Sequence, residues 1–244
     1  SGSVFLFCKE GGLFVYQRVL LKVSGEALSS ERTPLCQETI EKTASDIAYL
    51  QKKGVEIGIV VGGGNILRGR SSGQMERNRA DHMGMLATAI NALALQDALE
   101  RMQIPCVVLS AAEMPKFCDT YTARAAREHI RQHHVVIFAC GTGCPFFSTD
   151  TGAALRAAEI GADVLLLAKN IDAVYSADPR IDPEAKPYSH LTYDKVIRDD
   201  LKATDITAIT LCREQKIPIH VFELAGIRAM FDGAEMGTII DDIG

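Results

Sequence analysis

Three glycine-rich junctions carry the residues of this 244-residue chain that are best suited to chemistry. The first, Lys22-Val23-Ser24-Gly25-Glu26, sets an ammonium beside unencumbered backbone N–H donors. That suits a polyphosphate, and it equally suits a lysine that caps a turn. The second is Gly62-Gly63-Gly64-Asn65. A tight turn explains one or two of these glycines, and the third fits a backbone that comes close to an anion. Arg68, Arg70, Arg77 and Arg79 follow, with Glu76 the one acid among them. Arg68, nearest the glycines, is the guanidinium placed to fork onto phosphoryl oxygens, while Arg70, Arg77 and Arg79 read as a solvated basic loop. The third junction runs from Cys140 through Gly141, Thr142, Gly143, Cys144, Pro145, Phe146, Phe147, Ser148 and Thr149 to Asp150. One of Ser148, Thr149 and Asp150 would cap a helix. Three in succession exceed that need and suit a phosphate and ribose, with the two phenylalanines walling a base. A carboxylate does not bind phosphate, so Asp150 is better placed to orient Lys22 or a metal-nucleotide.

Several chemistries are excluded by what is missing. No Gly-x-x-x-x-Gly-Lys-Ser/Thr occurs, nor a Gly-x-Gly-x-x-Gly opening a helix after the first strand, nor a Gly-x-Ser-x-Gly elbow. No His/Cys cluster has metal-ligand spacing, and His133-His134 reads as a helix end. A formal charge of −5 argues against nucleic-acid binding. No apolar run reaches the ~18 residues of a membrane span, and 47% hydrophobic with 23% charged residues fits a soluble globular chain. Seven cysteines, an odd number without Cys-x-x-Cys, read as reduced thiols of a cytoplasmic protein.

The elements that must position these junctions follow from hydrophobic patterning. Residues 18–24, 55–61, 104–109, 134–140, 162–168 and 217–222 are nearly continuous apolar runs, the pattern of strands covered on both faces. Helix-like stretches lie between them, at about 37–53, 80–101, 120–132, 149–160 and 204–215. Alternation of this kind predicts an α/β fold, a three-layer α/β/α sandwich around a mostly parallel sheet. Ligands in such sheets bind beyond the strands' carboxyl ends, where all three junctions fall. The stretch 80–101 is apolar around most of its circumference, so it is either a central core helix or a subunit contact. Residues 169–200, with Pro179, Pro183 and Pro187, read as an excursion from the sheet. Residues 1–3 read as a cloning remnant, 1–17 as an N-terminal extension and 18–244 as a single catalytic domain.

Five blocks together resemble the bacterial uridylate kinases of the amino-acid kinase superfamily: Lys22-Val-Ser-Gly-Glu-Ala27, Gly62-Gly-Gly-Asn65 with Arg68, Asp81-His-Met-Gly-Met-Leu-Ala-Thr88, Gly141-Thr-Gly-x-Pro-Phe-Phe-x-Thr-Asp150, and Asn170-Ile-Asp-x-Val-Tyr-x-x-Asp178. The resemblance implies transfer of the ATP γ-phosphoryl group to UMP, with Mg²⁺ accompanying ATP and no phosphoenzyme. It implies ATP contacts at Lys22, Val23, Ser24, Gly25, Gly64, Arg68, Asn170, Tyr175 and Asp178. UMP contacts would fall at Gly63, Asp81 and Thr142 to Thr149. Lys22, Arg68, Asp150 and Asp205 would serve catalysis, Asp205 as an acid near the lysine. Family members are homohexamers built from dimers, with the helix containing Asp81 at the dimer contact. Cys144 stands where the family has Asn, and Ala173 where it has Gly. A carboxylate or carbamate kinase on the same fold, or a nucleotide sensor without turnover, are the competing readings.

Overall fold

The computed structural model describes residues 4–7, 13–67 and 75–242. In chain order the elements are β1 (Val4–Phe7), β2 (Leu13–Tyr16), β3 (Arg18–Val23), α1 (Gln37–Lys52), β4 (Glu56–Val61), α2 (Arg77–Arg101), β5 (Cys106–Ser110), β6 (Asp119–Thr120), α3 (Ala123–Arg131), β7 (Val135–Ala139), α4 (Thr149–Ile160), β8 (Val164–Lys169), β9 (Val174–Tyr175), β10 (Pro187–Tyr188), β11 (His190–Thr192), α5 (Tyr193–Arg198), α6 (Ile206–Gln215), β12 (Ile219–Glu223), α7 (Ile227–Phe231) and β13 (Thr238–Asp241). Nine strands form one sheet in the order β11-β13-β12-β8-β3-β4-β7-β5-β6, parallel except where β12 meets β13. All six expected strands and five expected helices are present, and the α/β/α sandwich is the observed architecture.

Two hydrophobic cores, one on each face, explain the continuous apolar runs. Along β3, Val19, Leu21 and Val23 pack with α1, α2 and α7, whereas Leu20 packs with α3, α4 and α6. The two-residue period of a strand therefore sends Lys22 to the same face as Leu20, the face of α4. The same period acts in β8, where Leu165 and Leu167 lie on the α4 side and Lys169 continues their row. Strand order reverses between β3 and β8, with β4, β7 and β5 on one side and β12 on the other. The carboxyl ends of β3 and β8 thus flank the crevice where an open α/β sheet receives a ligand.

Four expectations change. The long helix begins at Arg77, because the Glu76 carboxylate accepts from the Asn78 and Arg79 backbone N–H groups and caps it. Arg77 and Arg79 therefore lie on its first turn and not in a basic loop. The same helix is not enclosed on all sides: Met83, Leu86 and Ile90 are 40%, 54% and 46% exposed in the single chain. The excursion ends earlier than residue 200. His190–Thr192 rejoins the sheet as β11, paired with β13, a four-residue strand too short to stand out by periodicity. Finally, Lys22 caps no turn; the Ser24 hydroxyl does that, accepting from Glu26 N–H.

Candidate active site

A cavity of about 940 Å³ opens at the switch point. At its floor Lys22 Nζ lies 2.8 Å from Asp150 Oδ1, and Lys169 Nζ lies 3.2 Å from Asp150 Oδ2. Thr204 Oγ1 donates to the same Oδ2 at 2.7 Å. Asp150 sits in the first turn of α4, where the helix dipole also favours a negative charge. Burial by itself would raise the Asp150 pKa. The two ammonium charges and the hydroxyl outweigh burial and hold the carboxyl well below the usual carboxylate range. It is therefore an ionised tether for two lysines at any physiological pH, and both of its oxygens are committed.

The α4 and α6 N-termini meet beside this tether. Ser148 caps α4 by accepting from Thr151 N–H, and Asp205 caps α6 by accepting from Ala208 N–H. The caps are tied together: Asp205 accepts from the Ser148 hydroxyl through one oxygen and from Thr151 Oγ1, at 2.8 Å, through the other. Asp205 was expected beside the lysine. Its hydrogen-bond partners are these hydroxyls, while its neighbour Thr204 reaches the lysine-bound carboxylate. Two helix N-termini at one cavity supply unpaired backbone N–H groups for an anion.

The glycines divide by purpose. A Cβ on Gly25 would fall 2.3 Å from Asn65 Oδ1 and 2.6 Å from Gly62 O, so glycine there lets two loops cross. A Cβ on Gly63 would meet Gly84 O at 2.8 Å on α2. A Cβ on Gly64 would meet nothing within 4 Å, so of the three consecutive glycines this is the one with open space, and it lines the cavity with Gly63. In the third junction Cys140, Gly141, Gly143 and Phe146 all have positive φ, at 63°, 57°, 81° and 73°. This segment is anchored to α2 at two points: Thr88 Oγ1 accepts from Cys140 N at 2.8 Å, and Asp81 Oδ2 accepts from Phe146 N at 2.8 Å. Asp81 also accepts from Arg77 Nε, whose guanidinium stands 5.5 Å over the Phe146 ring.

Lys22, Gly63, Gly64, Asp81, Thr142, Cys144, Phe147, Ser148, Thr149, Asp150 and Asp205 are thus brought to one cavity. Val23, Ser24 and Gly25 are not on its wall, although they lead directly out of it; Val23 is fully buried. Gly143, Pro145 and Phe146 belong to the same loop but are not on the wall. Asn170, Tyr175 and Asp178 lie off the cavity: Asn170 pairs with the distant Glu26, whereas Tyr175 pairs with Asp172 and Asp178 with Arg180 within a few residues. Arg68 lies outside the described residues. Lys169 and Thr204 join the site although no motif marks them. The signal for Lys169 is positional, since it ends a strand adjacent and parallel to the one whose last residues are Lys22 and Val23.

No group of three or more His, Cys, Asp or Glu side chains among the described residues is arranged to hold a metal ion. Asp150, the carboxylate between the two lysines, already accepts from Lys22, Lys169 and Thr204. No helix among the described residues is long and apolar enough to cross a membrane.

The model of the amino acid kinase family matches residues 17–223. The uridylate kinase of Legionella pneumophila (strain Lens) is 49% identical over 231 residues, covering 92% of this chain and 94% of its own. That of Methylococcus capsulatus (strain ATCC 33009 / NCIMB 11132 / Bath) is 47% identical, covering 93% and 97%. Among solved structures, the UMP kinase from Bacillus anthracis superposes with a TM-score of 0.91 at 33% identity, covering 94% of this chain and 97% of that one. The UMP kinase from Ureaplasma parvum gives 0.86 at 36%, covering 93% and 99%. The chain belongs to the amino acid kinase family and, within it, to the uridylate kinases.

Proposed function

We propose that the chain transfers the γ-phosphoryl group of ATP directly to the phosphate of UMP, giving UDP and ADP for pyrimidine nucleotide synthesis in the cytoplasm. The observation that carries this reading is the pair of lysines tethered by Asp150 where the α4 and α6 N-termini meet. Phosphoryl transfer asks a protein mainly for positioning and for charge stabilisation. Lys22 and Lys169 supply two cations, and Asp150 fixes where they point. The backbone N–H groups of Gly64 and of the helix N-termini would hold equatorial oxygens, with Arg68 as a further cation. Mg²⁺ enters as part of the substrate Mg-ATP and neutralises charge on its phosphates. No general base is required, because the acceptor is a phosphate oxygen already ionised near neutral pH, and no side chain need be phosphorylated.

On the acceptor side, Asp81 would take the ribose hydroxyls, and the loop Thr142 to Thr149 would surround uridine and its phosphate. The cavity volume is at the upper end of that of ordinary ligand pockets, room enough for two substrates to meet. Asn170, Tyr175 and Asp178 would take the ATP nucleoside after exchanging their partners. Residues 18–244 act as one catalytic domain in this reading. The exposed Met83, Leu86 and Ile90 on α2 support assembly through that face, as dimers that build a hexamer. Leu86→Glu should shift sedimentation to smaller species. ADP release measured across UMP, CMP, acetylglutamate and carbamate tests the acceptor. UMP alone should give near-stoichiometric ADP, and turnover confined to the small acids would overturn the assignment.

A further inference from the structure

Arg156 is a charged side chain that the proposed chemistry does not use, yet it is only 3% exposed in the middle of α4. A buried guanidinium must have partners for its charge and its donors. One nitrogen pairs with Glu159, one turn along the same helix. The other, Nη2, donates to the Gly141 carbonyl oxygen at 2.9 Å. The guanidinium carbon stands 3.8 Å from the centroid of the Tyr121 ring, and the Tyr121 hydroxyl donates to the same Glu159 oxygen. Burial and that carboxylate push the Tyr121 pKa up to about 12, so its hydroxyl keeps its proton. The guanidinium is thus held on one face by a ring and along its edge by a carboxylate, and one nitrogen remains for the Gly141 peptide.

That peptide is the central one of a turn closed by Gly143 N–H, which donates to Cys140 O at 2.9 Å, and its own carbonyl oxygen is held by Arg156. Cys140 and Gly141 are both left-handed, at φ 63° and 57°, and the Gly141–Thr142 unit lies flat on α4 at Gly152, where a Cβ would stand 3.5 Å from Gly141 C. A trans peptide carries its C=O and N–H on opposite edges. Fixing the Gly141 oxygen on Arg156 therefore turns the Thr142 N–H away from the guanidinium, and Gly141 and Thr142 line the cavity whereas Arg156 does not. We propose that Arg156 is a positioning residue: it locks this peptide so that Thr142 N–H is presented to the acceptor phosphate and the carbonyl oxygen is withdrawn from it. This rests on the reading that the Thr142–Thr149 loop takes the acceptor.

The test compares wild type, Arg156→Met and Arg156→Lys by initial rates with UMP and Mg-ATP varied separately, alongside thermal melts and UMP titration without ATP. Loss of one charge-assisted hydrogen bond should raise the UMP KM and Kd by about tenfold in Arg156→Met, with the ATP KM changed less than about twofold. Arg156→Lys keeps the charge beside Glu159 but lacks the fork, so it should fold even if the Met variant does not, and should fall between the two. An unchanged UMP Kd in a folded variant, or equal rises in both KM values, would overturn the proposal. Absence of UMP turnover in wild type would overturn the acceptor reading itself, and the proposal with it; normal wild-type turnover with an unmoved variant overturns the positioning role alone.

Discussion

The end of β8 and the segment that follows it are both rich in polar side chains, but they hold them differently. At Lys169 and its neighbour Lys22, charges on separate elements converge on one carboxylate, and the Asp150 site is largely closed to water. From Asp172 to Arg180 the polar groups are mostly exposed and pair over a few residues, as Tyr175 does with Asp172 and Asp178 with Arg180. The first arrangement is fixed by ion pairs between separate elements. The second is held by hydrogen bonds within one exposed segment. Phosphates should therefore meet a preorganised site, and the nucleoside an adaptable one.

The largest effect expected from breaking this contrast is that of Asp150→Asn. It leaves two lysines facing each other without their shared counter-charge. Stability should fall by about 3 kcal/mol and kcat by ~10³-fold, read from urea melts and steady-state rates. Lys169→Met comes next. It removes one cation and leaves Lys22 tethered, so kcat should fall on the order of 10- to 100-fold while the fold persists. A fall no larger than that of an exposed lysine would mean that Lys169 only helps to hold Asp150.

The pH dependence sharpens the same point. The folded Asp150 pKa lies below its ordinary value of 3.8, so its contribution to stability is complete above that pH and is lost as the pH falls further. Between pH 5 and pH 3 the wild type should lose more stability than Asp150→Asn, and no Asp150 titration should appear in kcat between pH 6 and 9. Smallest is Tyr175→Phe, which removes one exposed hydroxyl. The ATP KM should rise about two- to fivefold with kcat unchanged. A tenfold loss of kcat there would erase the distinction between the two regions.

How much of this was legible in the sequence follows from the same physics. Continuous apolar runs mark strands covered on both faces, so the sheet and its principal helices are readable, and so are Lys22 and the Ser148–Asp150 helix start. Lys169 is not, because a lysine at a strand end carries no motif, and its meaning depends on which strand pairs with which. The glycines at 62 and 63 invite an anion-binding reading, yet the close approaches they permit are to Gly25 and to α2; Gly64 is the one turned to open space. Arg77 reads as a loop cation until Glu76 caps the helix ahead of it. Asn170, Tyr175 and Asp178 are implied by resemblance alone, and they stand outside the cavity.

The central claim is that Lys22 acts on the transferring phosphoryl group and not on substrate affinity. Single-turnover formation of UDP from Mg-ATP by wild type and Lys22→Ala, with UMP affinity measured by calorimetry on both, tests it most directly. The chemical step should be at least ~10²-fold slower in Lys22→Ala, with UMP binding within about twofold of wild type. Near-normal turnover in that variant, or lost UMP binding that explains the whole decrease, would contradict it.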